Sequence, residues 1–167
     1  MKNNDETSAI AVLANPRGKQ VIIDRTFEAP MALVFSMWTN PEYLARWWGP
    51  KNNTNSMCEM DVRPGGAISI TMHPGDGQMI EVNGVFDEVR IPDKLVFTTV
   101  KNDAYSEEQL KVLHTINLSE NNGITRLIMC VEIVRTSPVF NTSCQHMEQG
   151  WEQSFDRLGE ELLRMVN

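Results

Sequence analysis

The period of the apolar positions changes three times along the chain, from strand to helix, back to strand, and to helix again. Val21, Ile22 and Ile23, followed by Arg25 and Phe27, are residues that pack well on a pleated surface and predict the first strand. Pro30 suits a first helical turn, after which Met31, Val34, Phe35 and Trp38 recur at helical spacing on one face. Thr39 and Asn40 stop that helix and cap a second, with Pro41 in its first turn and Glu42 in capping-box spacing from Thr39. Leu44, Trp47 and Trp48 end the second helix, and Gly49-Pro50 forbids much continuation.

Strand patterns follow at 57–62, 67–73, 79–90, 94–101, 109–118 and 124–134. Pro64-Gly65-Gly66, Pro74-Gly75-Asp76-Gly77, Pro92-Asp93 and Asn121-Asn122-Gly123 supply turn chemistry between them, so the six runs predict an antiparallel meander. Alternation places Leu110, Val112, His114, Ile116 and Leu118 on one face of their strand, and Leu127, Met129, Val131 and Ile133 on one face of the next. The last segment has Thr142 and Gln145 in capping-box spacing, then Met147, Trp151, Phe155, Leu158, Leu162 and Met165 three or four apart. Its other face is charged, which predicts a long helix over 145–165 with an apolar stripe laid across the sheet. The fold class is α+β.

A length of 167 residues predicts one domain, taken as 18–167, behind a flexible leader at 1–17 that is at most an edge strand. With 15 Lys and Arg against 22 Asp and Glu, a net charge of -7 disfavours phosphate backbones and anionic lipid, which excludes nucleic acid as the expected partner. No run reaches membrane-spanning length and the first residues lack the apolar stretch of a signal peptide, so no membrane insertion and a cytoplasmic location are expected. Cys58, Cys130 and Cys144 match neither a metal knuckle nor a paired disulfide framework. The three scattered histidines form no metal motif, and no metal or cofactor is expected.

Five short motifs occur in order: Phe27-Glu28-Ala29-Pro30, Thr39-Asn40-Pro41-Glu42, Trp47-Trp48-Gly49-Pro50, Asp61-Val62-Arg63-Pro64-Gly65-Gly66 and Gly150-Trp151. In that combination, from about residue 20 to 165, the chain resembles the activator-of-Hsp90-ATPase-like family of the START-like, or SRPBCC, superfamily. The resemblance implies a helix-grip fold, a curved antiparallel sheet around a long C-terminal helix with two short helices after the first strand. It also implies one of three functions: a carrier of hydrophobic ligands, a cyclase- or lyase-like enzyme, or a co-chaperone. True co-chaperones of this type carry a separate N-terminal chaperone-binding domain, and chaperone activation is therefore not expected to follow from the family name.

The leading expectation is a monomer or weak homodimer that binds an apolar or aromatic small molecule between sheet and helix. Its candidate ligand-binding residues are Phe35, Trp38, Trp48, Met72, His114, Met129, Trp151 and Phe155. Indoles would wall a flat ligand, and thioethers adapt to irregular apolar space; ordinary core packing is the competing reading for each. His114, with Val112 and Ile116 on either side of it on its face, is the candidate polar group inside the grip, either a base or a satisfied core histidine. Asp61, Arg63, Gly65 and Gly66 read as a structural motif, an ion pair tying the sheet edge and glycines permitting a turn.

Overall fold

The computed structural model describes residues 8–15 and 18–166, with the backbone alone at 8, 13–15 and 18. Strands β1 (Ser8–Asn15) and β2 (Gly18–Phe27) are followed by helices α1 (Met31–Thr39) and α2 (Pro41–Trp47). Strands β3 (Thr54–Met60), β4 (Ala67–His73), β5 (Ile80–Arg90), β6 (Lys94–Asn102), β7 (Gln109–Asn121) and β8 (Ile124–Arg135) come next. A 3-10 turn (Pro138–Phe140), α3 (Asn141–Gln145) and α4 (Met147–Val166) close the chain. The strands form one sheet in the order β1-β2-β8-β7-β6-β5-β4-β3, antiparallel throughout. The chain leaves β2 through α1 and α2, enters the far edge at β3, and returns strand by strand until β8 lies against β2.

Alternation decides which face is buried. On β7 Leu110, Val112, His114, Ile116 and Leu118 are buried, and on β8 Leu127, Met129, Val131 and Ile133 are buried with them, as their period of two requires. Helix α4 lays Phe155, Leu158 and Leu162 against this concave face, while Arg25 of β2, itself buried, pairs with Asp156 of α4 at 2.6 Å. The apolar residues of α1 and α2 join the same core, which makes it continuous from sheet to helix.

Four local details sharpen or correct the expectations. Residues 8–15, inside the leader stretch expected to be at most an edge strand, form that edge strand, β1, in register from Ser8↔Arg25 to Asn15↔Gly18; pairing satisfies the outer edge of β2, and Ile10 packs against the core. Residues 1–7 and 16–17 of that stretch lie outside the described residues. The cap of α2 is Asn40, whose side chain accepts from the Glu42 amide at 3.0 Å; Thr39 instead donates its hydroxyl to the Phe35 carbonyl. The expected capping box at Thr142 does not form, because the helix there ends at Gln145 and a new one begins at Met147. Strand β3 also starts earlier than its pattern indicates, because pairing of Thr54 with His73 and a bulge between Asn55 and Met57 set its register.

Candidate functional site

The site is built around the loop that follows α2. Gly49 has φ +98, where L side chains are strained, and a Cβ there would stand 2.4 Å from the Asn53 side-chain nitrogen. The loop's carbonyls are held from three sides. Asn53 and Asn55 both donate to the Trp48 carbonyl at 2.9 Å, and Arg157 of α4 donates to the carbonyls of Arg46, Trp48, Gly49 and Pro50 at 2.9 to 3.2 Å. One guanidinium thus satisfies the exposed end of α2 and fixes the distance between this loop and α4.

Held in this way, Trp48 meets Trp151 of α4 edge to face, with ring centroids 5.4 Å apart. Behind them the aromatic cluster continues. Trp38 stands edge to face with Trp47 at 4.6 Å and stacks on Trp151 at 6.2 Å, and Phe155 packs against Trp38, Trp47 and Trp151. Trp47 spends its indole N–H on the Met37 carbonyl at 2.9 Å, which ties α2 to α1.

Between this wall and the sheet lies a cavity of about 210 Å³. Trp48, Gly49 and Pro50 form one side, and Met147, Gly150, Trp151 and Ser154 of α4 form another. Met72 of β4, Ile80 and Val82 of β5, Thr99 and Lys101 of β6, and Leu110 and Val112 of β7 form the floor, and Ser143 of α3 closes the rim. Gly150 leaves this space open: a Cβ placed there would meet nothing within 4 Å. Beyond Ile80, Lys101 and Ser143 the cavity adjoins an open groove of about 760 Å³ whose walls include Glu81, Asp103 and Tyr105.

Of the residues named from the sequence, Trp48, Met72 and Trp151 line the cavity. Phe35, Trp38, Met129 and Phe155 are packed in the core, from 0% to 6% exposed, outside the cavity lining. His114 sits one layer back. Its ring stacks on Phe97 at 4.5 Å, Trp151 stands edge-on at 5.6 Å, and its Nδ1 lies 3.3 Å from the Phe97 carbonyl. Burial pushes its pKa down to about 4, against that hydrogen bond, so it is a neutral core imidazole at pH 7.

The Asp61 motif is remote from the cavity lining. Its ion pair, Arg63 Nε to Asp61 Oδ2 at 2.7 Å, is solvent-exposed, whereas Gly65 and Gly66 bond to Phe86 of β5 at 2.8 and 2.9 Å. A Cβ on Gly66 would lie 1.8 Å from the Asp61 carbonyl oxygen, so the tight turn itself demands glycine. Sequence reasoning named Gly150 only as part of a motif and missed Arg157, Thr99 and Lys101. For Lys101 a signal was present, since Leu95, Phe97, Thr99 and Lys101 share one face of β6 and three of these four are buried. For Arg157 no local pattern points to carbonyls more than a hundred residues away in sequence.

Among the described residues no group of three or more His, Cys, Asp or Glu could hold a metal ion, and no helix is long and apolar enough to cross a membrane. A curved antiparallel sheet gripping a long terminal helix, with an apolar cavity between them, defines a helix-grip protein of the START-like class. Residues 28–162 match the family model described as Activator of Hsp90 ATPase homolog 1-like protein, and the chain belongs to that family. Solved structures agree. A protein from Nitrosomonas europaea is 28% identical with a TM-score of 0.70, covering 88% of this chain and 95% of its own. The AHSA1 protein from Silicibacter pomeroyi is 25% identical with a TM-score of 0.71, covering 87% of this chain and 99% of its own. A protein from Chromobacterium violaceum, 22% identical with a TM-score of 0.73 over 89% of this chain and 98% of its own, shares the fold. Comparison with curated proteins gives no match.

Proposed function

We propose that this chain binds an apolar or aromatic small molecule in the cavity between the sheet and the start of α4. The observation that carries the reading is the cavity itself, about 210 Å³ with an indole on each of two sides and aliphatic side chains on the floor. Ligand sites for drug-sized molecules run from roughly 300 to 1,000 Å³, so this one suits a smaller guest, such as a one- or two-ring aromatic or a medium-length alkyl chain. Trp48 and Trp151 offer flat faces at little conformational cost, and Met72 and Met147 adapt to its outline.

Neither alternative draws on a specific observation of this site. His114 is screened by Phe97 and Trp151 and does not line the cavity, which leaves an acid–base role without a reacting group in reach. The family's description names an activity on a chaperone ATPase, whereas the cavity is what supports the reading made for this chain.

Gly150→Leu provides the test, because it sends a side chain into the cavity from a helical position that glycine destabilises. Calorimetric titration with indole, naphthalene derivatives and medium-chain alcohols is expected to give saturable binding to the natural protein. In Gly150→Leu that binding is expected to fall at least about tenfold, the equivalent of roughly 1.4 kcal/mol. Binding unchanged in the variant would place the guest elsewhere and overturn the assignment.

A further inference from the structure

One charged group sits where the alternation of β6 calls for an apolar one. Leu95, Phe97 and Thr99 are buried on the concave face, and Lys101 continues that row into the cavity floor. Its cross-strand neighbours are Val82 and Leu110, both buried and both lining the cavity. The Lys101 ammonium reaches the junction between cavity and groove, where its hydrogen bond to Ser143 Oγ is long, at 3.4 Å.

Among the described residues no carboxylate lies within ion-pair distance of this ammonium. Asp103, on the groove wall, is engaged by the Tyr105 amide and the Ser106 hydroxyl in its own turn. Glu81 lines the groove on the solvent side. Burial lowers the pKa of Lys101, with Cys144 and Asp103 acting in the opposite direction. A partly buried cation without a close counter-ion is costly, and a bound anion would offset that cost.

Resting on the cavity reading above, we infer that the guest is an amphipathic monocarboxylate. Its apolar body lies between Trp48 and Trp151 and the sheet, and its carboxylate is held by Lys101 with the Ser143 hydroxyl beside it. The geometry favours this polarity for two reasons. The cation stands at the mouth while the interior is apolar, so the guest enters body first and its charge stops at the junction. Outside that point Glu81 and Asp103 repel a carboxylate, which keeps it at Lys101 instead of along the groove. The Thr99 hydroxyl, on the same strand face, provides a second donor within the lining.

The test is a matched pair of probes, 2-naphthoic acid and 2-naphthalenemethanol, titrated by calorimetry at pH 7 into the natural protein, Lys101→Met and Lys101→Arg. A charge-assisted hydrogen bond in a partly desolvated site predicts that the acid binds the natural protein at least about tenfold more tightly than the alcohol. That preference is expected to disappear in Lys101→Met and to survive in Lys101→Arg. Equal, saturable binding of both probes to the natural protein would overturn the anchor and leave the cavity reading standing. Binding of neither probe would overturn both. Persistence of the preference in Lys101→Met, with the variant's thermal unfolding still cooperative, would assign the anion to another group and overturn the role of Lys101. If Lys101→Met does not fold, Lys101→Gln takes its place with the same expected loss of the preference and the same contrary outcome.

Discussion

Burial gives His114 a measurable effect on stability even though it does not line the cavity. Its pKa is pushed from 6.5 to about 4 in the folded protein. Between those values the unfolded chain binds a proton that the folded chain does not, so stability falls as pH drops through 6.5 and stops falling on this account below about 4. The loss is on the order of 3 kcal/mol. Urea unfolding at pH 7 and pH 4.5 is expected to show a larger difference for the natural protein than for His114→Leu; equal differences would mean that the imidazole is not held neutral. The position of His114 on the inward face of its strand was legible from alternation with Val112 and Ile116. Its neighbours were not, because the Phe97 ring and carbonyl arrive from the next strand through a register that only pairing fixes. Gly49 is a second position where a single residue is decisive. Its positive φ and the Asn53 side chain 2.4 Å from any added Cβ predict that Gly49→Ala costs about 1 to 3 kcal/mol by chemical denaturation. A change under about 0.5 kcal/mol would show that the loop relaxes freely.

Helix α4 joins the sheet to the two short helices through its apolar stripe. Its stripe was readable from three- and four-residue spacing, and Phe155, Leu158 and Leu162 lie where that spacing puts them. Phe155 is fully buried among four aromatic rings, so Phe155→Ala is expected to destabilise the fold by about 3 to 5 kcal/mol in urea. Retention of natural stability would remove it from the core. The polar side of α4 was less legible than the apolar side. Arg157 reads in sequence as one more surface charge, yet its guanidinium serves four carbonyls at the end of α2. Arg157→Met therefore loosens the wall that holds Trp48 while leaving the α4 stripe intact. Faster hydrogen exchange confined to residues 46–53 is the expected readout; exchange unchanged there would assign the loop's order to Asn53 and Asn55 alone.

Taken whole, the meander was legible because its turns are written in Pro, Gly, Asn and Asp and two of its strands, β7 and β8, in clear alternation. The edge strand β1 was only half visible, since a short strand at a sheet edge is stabilised by its partner's hydrogen bonds more than by its own pattern. The cavity was not legible at all as a volume. Sequence names the aromatic residues, but whether they fill space or enclose it depends on the gap left at Gly150 and on where Arg157 holds the loop against α4. That is why Phe35, Trp38, Met129 and Phe155 lie in the packed core while Trp48, Met72 and Trp151 face the opening.

Whether this opening receives a guest is decided by an isotope-filtered nuclear Overhauser experiment on the protein bound to unlabelled 2-naphthoic acid. Cross-peaks from the naphthalene protons to the methyl groups of Ile80, Leu110 and Val112 and to the Trp151 ring are predicted, because those side chains face one another across the cavity. Cross-peaks only to exposed side chains such as Ile91 or Leu163, or none under saturating probe, would contradict binding there.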